Sequence, residues 1–385
     1  MSEEIKNLNT ESEQAPVEKT EAKKPLDKKT IAIIAAAAAV VVLVLVLVLT
    51  LGGKKDYTLG LGVSFGDLTS AQVNATVATV VLDKDGKIVE CRIDAIQNKY
   101  AVDGTTVKFN VLDTKMELGD KYGMAGKVDN NKDGVMLEWY EQVKAFEKYV
   151  VGMTADEVKA IETQSVNNHN IAKDEALLSA GCTIQISDFI AAVVKACNDE
   201  YAVSFKSNGK FTLGVAANNS DNGSSVDATT GVVSVKLNSD IAATVVDSNG
   251  KILASLNDAI QPVVIYTPAV KDAEGNVLVP EIITETSVGK GNGILKTKRE
   301  LKEDYKMAAF GAPNVEGGTV KEWYVQSAAF SAYIVGMTAD EVKGLETKEV
   351  NNHLISTDEA LLSAGCTMQI TGIMAVVAES MEYAR

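Results

Sequence analysis

The amino-acid sequence predicts an α+β protein made of two tandem repeats that follow one transmembrane helix. Three observations support this prediction: a long block occurs twice, an apolar run precedes both copies, and each copy passes from a strand pattern to a helix pattern. Residues 139–183 and 323–367 align without a gap, and 32 of the 45 aligned residues are identical. A duplication this clear indicates two copies of one structural unit.

The N-terminal segment predicts a membrane anchor. Residues 1–30 are rich in Glu, Lys, Ser and Thr, a composition typical of a disordered tail. Residues 31–51 carry no charge and are long enough to cross a bilayer, and this apolar run exceeds that of a usual cleaved signal peptide. More lysines precede this run than follow it, which favours a cytoplasmic N-terminus. We therefore expect a single-pass membrane protein with a cytoplasmic tail and extracytoplasmic C-terminal domains.

The net charge of the chain is −15. A nucleic-acid-binding protein needs a basic surface, so this balance argues against nucleic acid as a partner. It also argues against adhesion to anionic lipid, and it fits a soluble acidic exterior.

The first half of each repeat has the pattern of antiparallel strands. Repeat 1 extends over 57–201 and repeat 2 over 211–385. In repeat 1, Val77–Leu82 is rich in β-branched residues and is followed by Asp85-Gly86; repeat 2 has Asn249-Gly250 at the matching place. Both dipeptides indicate two-residue hairpins with a type I′ turn.

The second half of each repeat has the pattern of helices. Apolar residues recur at helical spacing from Trp139 to Val150. Thr154–Glu157 and Thr338–Glu341 are capping boxes, which begin helices. A last helix is expected from about Thr183 to Cys197. Each repeat is therefore expected to be an antiparallel sheet with packed helices.

The segment Gly-Cys-Thr occurs in both repeats just before an amphipathic stretch, at residues 181–183 and 365–367. A threonine at a helix N-terminus would be well placed for a phosphate, because unpaired amides and the helix dipole attract anions.

The order of a DGKI hairpin, helices and a G-C-T-[IM] segment resembles the FMN-binding domain of extracytoplasmic flavoproteins, in which D-x-x-S-G-A-T precedes a helix. The resemblance implies FMN linked through its phosphate to a threonine hydroxyl group, and electron transfer outside the membrane. Carried over by position, the attachment residues are Thr183 and Thr367. The neighbouring residues are Gly181, Cys182, Gly365 and Cys366.

The chain departs from this family motif in the same way in both repeats. The serine of the family is replaced by Ala180 and Ala364. Its aspartate is replaced by Leu177 and Leu361, unless Asp174 and Asp358, three residues further back, take its role. A capped helix start with a buried cysteine is the alternative interpretation of the Gly-Cys-Thr segment.

The two histidines, His169 and His353, lie in matching VNNH segments. They are candidates for proton transfer or for contact with a flavin, and the alternative is a loop histidine bonded to the backbone.

Two cysteines occur in repeat 1 and have no counterpart in repeat 2. Cys91 aligns with Ser255 and Cys197 with Met381, so the two cysteines are absent together from repeat 2. This joint absence suggests a Cys91–Cys197 disulfide, which an oxidising exterior would permit. Two unrelated buried thiols are the alternative.

No metal site is predicted: no cysteine spacing fits zinc, and the calcium-like loop at 129–134 has Tyr140 where a glutamate ligand is required.

Two functions remain open at this point. The first is a membrane-anchored flavin protein that transfers electrons to a redox partner. The second is a non-catalytic surface module that has lost the flavin and binds another ligand. In both, the protein is an electron carrier or a binding protein rather than a turnover enzyme.

Overall fold

A computed structural model describes residues 54–385, apart from 67, 128–135, 289–294, 312, 316 and 317. The predicted tail, the predicted transmembrane helix at 31–51 and the calcium-like loop lie outside the described residues. Among the residues that are described, no helix has both the length and the apolar character needed to cross a membrane.

The part of the chain up to residue 207 has seven strands and five α-helices among the described residues. The strands are β1 (Lys55–Phe65), β2 (Gln72–Leu82), β3 (Ile88–Asp103), β4 (Thr106–Phe109), β5 (Thr163–Val166), β6 (His169–Ala172) and β7 (Val203–Ser207). The helices are α1 (Lys115–Leu118), α2 (Trp139–Tyr149), α3 (Ala155–Lys159), α4 (Glu175–Ser179) and α5 (Ser187–Cys197), with a 3₁₀ turn at Gly119–Tyr122. The main sheet has the order β4-β3-β2-β1-β7 with antiparallel neighbours, and β5 and β6 form a separate hairpin.

Repeat 2 continues with the corresponding elements and some additional strands. The strands are β8 (Phe211–Asp221), β9 (Ser225–Val226), β10 (Val233–Asp247), β11 (Ile252–Ile260), β12 (Pro262–Thr267), β13 (Val270–Lys271), β14 (Val277–Val279), β15 (Ile282–Val288), β16 (Thr347–Val350) and β17 (His353–Ser356). The helices are α6 (Lys298–Leu301), α7 (Met307–Phe310), α8 (Trp323–Tyr333), α9 (Ala339–Lys343), α10 (Glu359–Ser363) and α11 (Thr371–Glu382), with a 3₁₀ turn at Lys302–Tyr305. Strand β10 is central: β8, β11, β12 and β9 all pair with it, and β15 pairs with β12.

The α+β class predicted from the sequence is confirmed, with antiparallel sheets and several helices. The two main sheets pack face to face, because alternate residues of β1 and β2 share one hydrophobic core with alternate residues of β8 and β10. Two further cores lie on the outer faces, where helices cover each sheet. Residues 54–385 thus form one compact unit with helices outside and two sheets inside.

Glycines let the last helix of each repeat lie close to its sheet. Gly60 and Gly62 alternate with Leu59, Leu61 and Val63 along β1, so the leucines and valine face the shared core while the glycines face α5. A Cβ atom on Gly60 would lie 2.0 Å from the Ala196 carbonyl oxygen. Only a residue without a Cβ atom permits this approach of helix and strand.

The capping boxes at Thr154 and Thr338 are confirmed, because each threonine accepts from the amide three residues on and the glutamate accepts from the threonine amide. The type I′ turns predicted at Asp85-Gly86 and Asn249-Gly250 are wrong. In each pair only the glycine has positive φ. The Gly86 N–H donates to the Asp83 carbonyl oxygen, and the Gly250 N–H donates to the Asp247 carbonyl oxygen. Each aspartate side chain also binds two amides of its turn and so stabilises the alternative geometry.

A buried arginine joins the two repeats on one side of the molecule. Arg299, next to the N-terminus of α6, donates from Nε to Asp258 Oδ2 and from Nη2 to Asp199 Oδ2, both at 3.1 Å. Its Nη2 also donates to the carbonyl oxygen of Leu61 on β1. Nearby, Lys195 of α5 bonds to Glu300 of α6 at 2.8 Å. On this side the buried carboxylates have cationic partners.

The corresponding positions on the other side carry carboxylates without such a cation. Asp94 matches Asp258, but Met116 replaces Arg299, and Glu379 replaces Lys195 beside Glu117. Among the described residues, Asp94 Oδ2 has no hydrogen-bond partner. Burial raises the pKa of Asp94 to about 7, although the Thr114 hydroxyl group and the Ala95 and Met116 amides oppose this. Burial and the neighbouring Glu117 raise the pKa of Glu379 to about 8.

We expect Gly214→Ala to lower the free energy of unfolding by about 1–3 kcal/mol, because the new Cβ atom would overpack the contact between β8 and α11. That atom would lie 1.8 Å from the Ser380 carbonyl oxygen. Urea denaturation of the full-length protein measures the change. The control is Gly344→Ala, where φ is −84° and repeat 1 already has Ala160; it should be neutral or slightly stabilising. Equal losses in both variants would contradict this account of Gly214.

We also expect the free energy of unfolding to fall as pH rises from about 4 to about 7. A carboxyl group whose pKa is higher in the folded state binds more protons there, so folding is favoured below that pKa and loses this contribution as pH rises through it. For Asp94, a rise from 3.8 to about 7 corresponds to about 4 kcal/mol, at about 1.4 kcal/mol per pKa unit.

Urea denaturation at several pH values measures this dependence in the wild type and in Asp94→Asn. The variant keeps the acceptor for the Ala95 and Met116 amides and should show a much weaker pH dependence. Asp340→Asn at the exposed start of α9 is the control and should behave as the wild type does. An unchanged slope in Asp94→Asn would assign the dependence to other groups.

Candidate functional site

The Gly-Cys-Thr segment ends a helix, whereas the sequence predicted that it begins one. Helix α4 ends at Ser179, and α5 begins only at Ser187, so the predicted helix start at Thr183 is wrong. Gly181 has φ of 93°, its N–H donates to Leu178, and the Cys182 N–H donates to Leu177. These two bonds define a Schellman motif, in which glycine supplies the left-handed residue.

Repeat 2 has the same geometry after α10. Gly365 has φ of 97°, its N–H donates to Leu362, and the Cys366 N–H donates to Leu361. Thr183 and Thr367 therefore lie four residues before the next helix and are not its first residues.

The cysteines of this segment serve as small apolar residues. Cys182 and Cys366 are both fully buried free thiols, and each packs in the helix-side core of its own repeat. Burial raises the pKa of each thiol to about 12. A thiol with such a pKa is not a nucleophile at neutral pH.

A glutamine that the sequence analysis missed holds each threonine. Gln142 Oε1 accepts from the Thr183 amide at 2.9 Å and from the Thr183 hydroxyl group at 3.3 Å. Gln326 Oε1 accepts from Thr367 in the same way, at 2.8 and 3.4 Å. The sequence did contain an indication of this role, because glutamine is the fourth residue in both copies of the duplicated block.

The two threonines differ in what surrounds them. Thr183 is only 4% exposed. Thr367 is half-buried and lines a cavity of about 440 Å³ in repeat 2. The wall of this cavity includes Asp240, Lys298, Trp323, Gln326, His353 and Thr367. The structure therefore brings two predicted site residues, Thr367 and His353, to one cavity.

In each repeat the ammonium group of a lysine lies over two aromatic rings. The sequence pattern did not predict this arrangement. The Lys115 ammonium group is 4.9 Å from the Tyr122 ring centroid and 5.4 Å from that of Trp139. The Lys298 ammonium group has nearly the same distances to Tyr305 and Trp323, 5.2 and 5.3 Å. Such cation–π contacts stabilise a partly desolvated cation.

The carboxylate that faces this lysine comes from a different element in each repeat. In repeat 1, burial lowers the pKa of Lys115 to about 8 and Asp188 of α5 opposes this. In repeat 2, glycine replaces that aspartate at position 372, and Asp240 of β10 interacts with Lys298 instead. The Asp240 Oδ2 atom lies 2.3 Å from where a Cβ atom on Gly372 would be. The Asp240 carboxylate thus occupies the space that a side chain at position 372 would need.

Both histidines lie at exposed strand starts. Asn167-Asn168 and Asn351-Asn352 have positive φ, so these pairs form type I′ turns, and His169 and His353 follow them as the first residues of β6 and β17. His353 lines the cavity of repeat 2.

The four cysteines are free thiols in the structure. Cys91 is fully buried in β3 and Cys197 is half-buried at the end of α5. Burial raises the pKa of Cys91 well above its usual value, and Cys197 lies near enough to contribute. The Cys91–Cys197 disulfide is not formed here and stays a prediction for an oxidising compartment.

No group of three His, Cys, Asp or Glu side chains suited to a metal ion occurs in the described part of the chain.

Fold and site together define an internally duplicated α+β protein with a polar cavity in its second repeat. No model of a known protein family matches the chain, and no solved structure matches it. A chlorophenol reductase of Desulfitobacterium hafniense is similar to it, with 28% identity over 122 residues, 26% of this chain and 36% of that protein. The chain thus covers little more than a third of the length of this relative.

We expect Gln142→Leu to destabilise the protein more than Gln326→Leu does. Each substitution removes the acceptor of a threonine amide, and a buried donor left unpaired costs about 1–3 kcal/mol. Thr183 is more deeply buried than Thr367, so water can replace the lost acceptor more readily in repeat 2. Thermal unfolding of both variants measures the order, with Gln164→Leu on the exposed strand β5 as control. A larger loss for Gln326→Leu would contradict this explanation.

Proposed function

We propose that the protein is a membrane-anchored extracytoplasmic binding protein whose second repeat holds FMN for electron transfer, while the first repeat is a scaffold. The observation that carries this proposal is the cavity of about 440 Å³ beside Thr367. Its volume is within the usual range for small-molecule sites, about 300–1,000 Å³. The anchor and the location outside the cytoplasm rest on the sequence of residues 23–55.

The residues of repeat 2 fit such a cofactor better than those of repeat 1. Thr367 is half-buried at the cavity wall, where its hydroxyl group can be reached, and Trp323 supplies an aromatic surface. Lys298 supplies a positive charge in the same wall, with Asp240 beside it. In repeat 1 the Thr183 hydroxyl group is buried against Gln142, which does not fit attachment of a phosphate.

Bound FMN would supply one- and two-electron chemistry. The chain itself would bind and orient it: Gln326 holds the Thr367 hydroxyl group, and Trp323 and Met368 supply apolar surface in the wall. His353 lies at the cavity wall, as Asp240 and Lys298 do, and its imidazole group would hold or release a proton there.

A second candidate function is a non-catalytic surface module that binds a partner or ligand without flavin. The local structure favours it, because helix termination by glycine, burial of the cysteine and the glutamine bond to the threonine explain without a cofactor why both repeats keep Gly-Cys-Thr. The similarity to a reductase covers too little of the chain to decide between the two.

We expect covalent FMN on Thr367 when the full-length protein is co-expressed with a flavin transferase. Peptide mass mapping and flavin fluorescence after denaturation measure it. Thr367→Val removes the hydroxyl group with little change in shape and should abolish the flavin signal. Thr183→Val is the matched control and should leave it unchanged.

Two results would contradict the proposal. FMN on the peptide that contains Thr183 would reverse the assigned roles of the repeats. A folded wild-type protein without flavin would favour the non-catalytic module.

A further inference from the structure

A second cavity lies at the junction of the two repeats, against helix α8, and Thr367 is not part of its wall. It has a volume of about 350 Å³, and its wall combines Tyr201 and Val203 of the first half of the chain with β11 and α8 of the second. Helix α8 contributes small side chains here, including the buried Ser327 and Ser331 and the exposed Ala332.

Comparison with repeat 1 shows that the wall of this cavity differs between the two repeats. Ser327 stands where repeat 1 has Val143, and Ser331 where it has Glu147. Repeat 1 has a cavity of about 330 Å³ at the matching place, and the Glu147 side chain in its wall bonds to the Arg385 guanidinium group at 2.8 Å. Charged side chains therefore line the cavity of repeat 1, whereas small and polar side chains line the cavity of repeat 2.

Three residues in the wall of this cavity each carry one buried polar atom without a hydrogen-bond partner among the described residues. The atoms are Ser255 Oγ, Asn257 Oδ1 and Arg299 Nη1. Ser255, Asn257 and Arg299 are 2%, 1% and 5% exposed. A buried polar atom without a partner costs about 1–3 kcal/mol, so a molecule that supplies the missing bonds gains affinity. Repeat 1 has Cys91 and Ile93 in place of Ser255 and Asn257, which removes two of these polar atoms.

The charges and the wall of the cavity indicate which kinds of ligand it can bind. Arg299 is already bonded to two carboxylates, Asp199 and Asp258, so this group has a net negative charge and disfavours an anion. A cation would meet the N–H donor of the guanidinium group. The rings of Tyr201 and Tyr324 lie 5.7 Å apart in the wall and favour an aromatic molecule.

We propose that this junction cavity, defined by Ser255, Asn257, Arg299, Ala332 and the two tyrosines, binds an uncharged aromatic molecule that carries a hydroxyl group. The hydroxyl group is both donor and acceptor, so it can accept from Arg299 Nη1 or donate to Asn257 Oδ1. The aromatic part of the molecule is buried against Tyr201 and against the side chains of α8, which include Tyr324. This site is independent of the proposed flavin site, and neither proposal depends on the other.

Equilibrium dialysis of the full-length protein with 2-naphthol, naphthalene and 2-naphthoate tests the proposal. These probes share one ring system and differ in the polar group. We expect 2-naphthol to bind at least about tenfold more tightly than the other two, since only it is uncharged and able to complete the hydrogen bonds.

A matched pair of variants locates the binding. Ala332→Leu fills the cavity and should weaken 2-naphthol binding by about tenfold or more. Ala360→Leu, at an exposed position of α10 outside the cavity, should bind as the wild type does. Both are exposed helical alanines, so both variants should fold.

Three outcomes would overturn the inference. Absence of 2-naphthol binding would mean that water satisfies the three polar atoms. Equal binding of the three probes would indicate partition into apolar surface or detergent. Equal binding by the two variants would place the ligand elsewhere.

Discussion

The packing of one sheet against the other is the constraint on which the rest of the structure depends. Each main sheet is buried on both faces, because the partner sheet covers one face and helices cover the other. Along β1 this requires leucine and valine toward the partner sheet and glycine toward α5, so a shift by one residue would place Gly60 in the central core. The repeats therefore cannot vary independently: a strand that moves in one sheet opens the core of both.

Duplication gives the two sides of this packed unit corresponding positions, yet their charges differ. On one side Arg299 and Lys195 compensate the buried carboxylates, and on the other Met116 and Glu379 stand at the same positions. Burial of an uncompensated carboxylate is unfavourable, and protonation is how the molecule reduces that cost. The acidic side is consequently sensitive to proton concentration. On the other side the Arg299 guanidinium group opposes the rise in the pKa of Asp258 that burial causes.

Local signals in the sequence were reliable where a few neighbouring residues determine the outcome. The capping boxes at Thr154 and Thr338 and the helix at Trp139 depend on contacts within a turn or two, and the structure confirms them. The helix start at Thr183 was wrong because glycine after a leucine-rich turn ends helices as readily as it precedes them. The sheet-to-sheet packing, the Gln142–Thr183 bond and the role of Arg299 could not be predicted, because each joins residues far apart in sequence. The internal comparison still held a clue, since Gln142 and Lys115 recur in repeat 2.

The two cavities of repeat 2 differ from the matching regions of repeat 1 in the side chains of their walls. Gly372 replaces an aspartate beside the Thr367 cavity, and serines replace Val143 and Glu147 at the junction cavity. Polar atoms left without partners in a core are destabilising. The shared sheet-to-sheet core couples the two repeats, so the whole folded unit offsets that cost and not repeat 2 alone. Divergence after duplication has thus kept a cavity at the matching place in both repeats and has changed its wall, from charged side chains near Glu147 to small and polar ones near Ser331, so the two copies can bind different molecules.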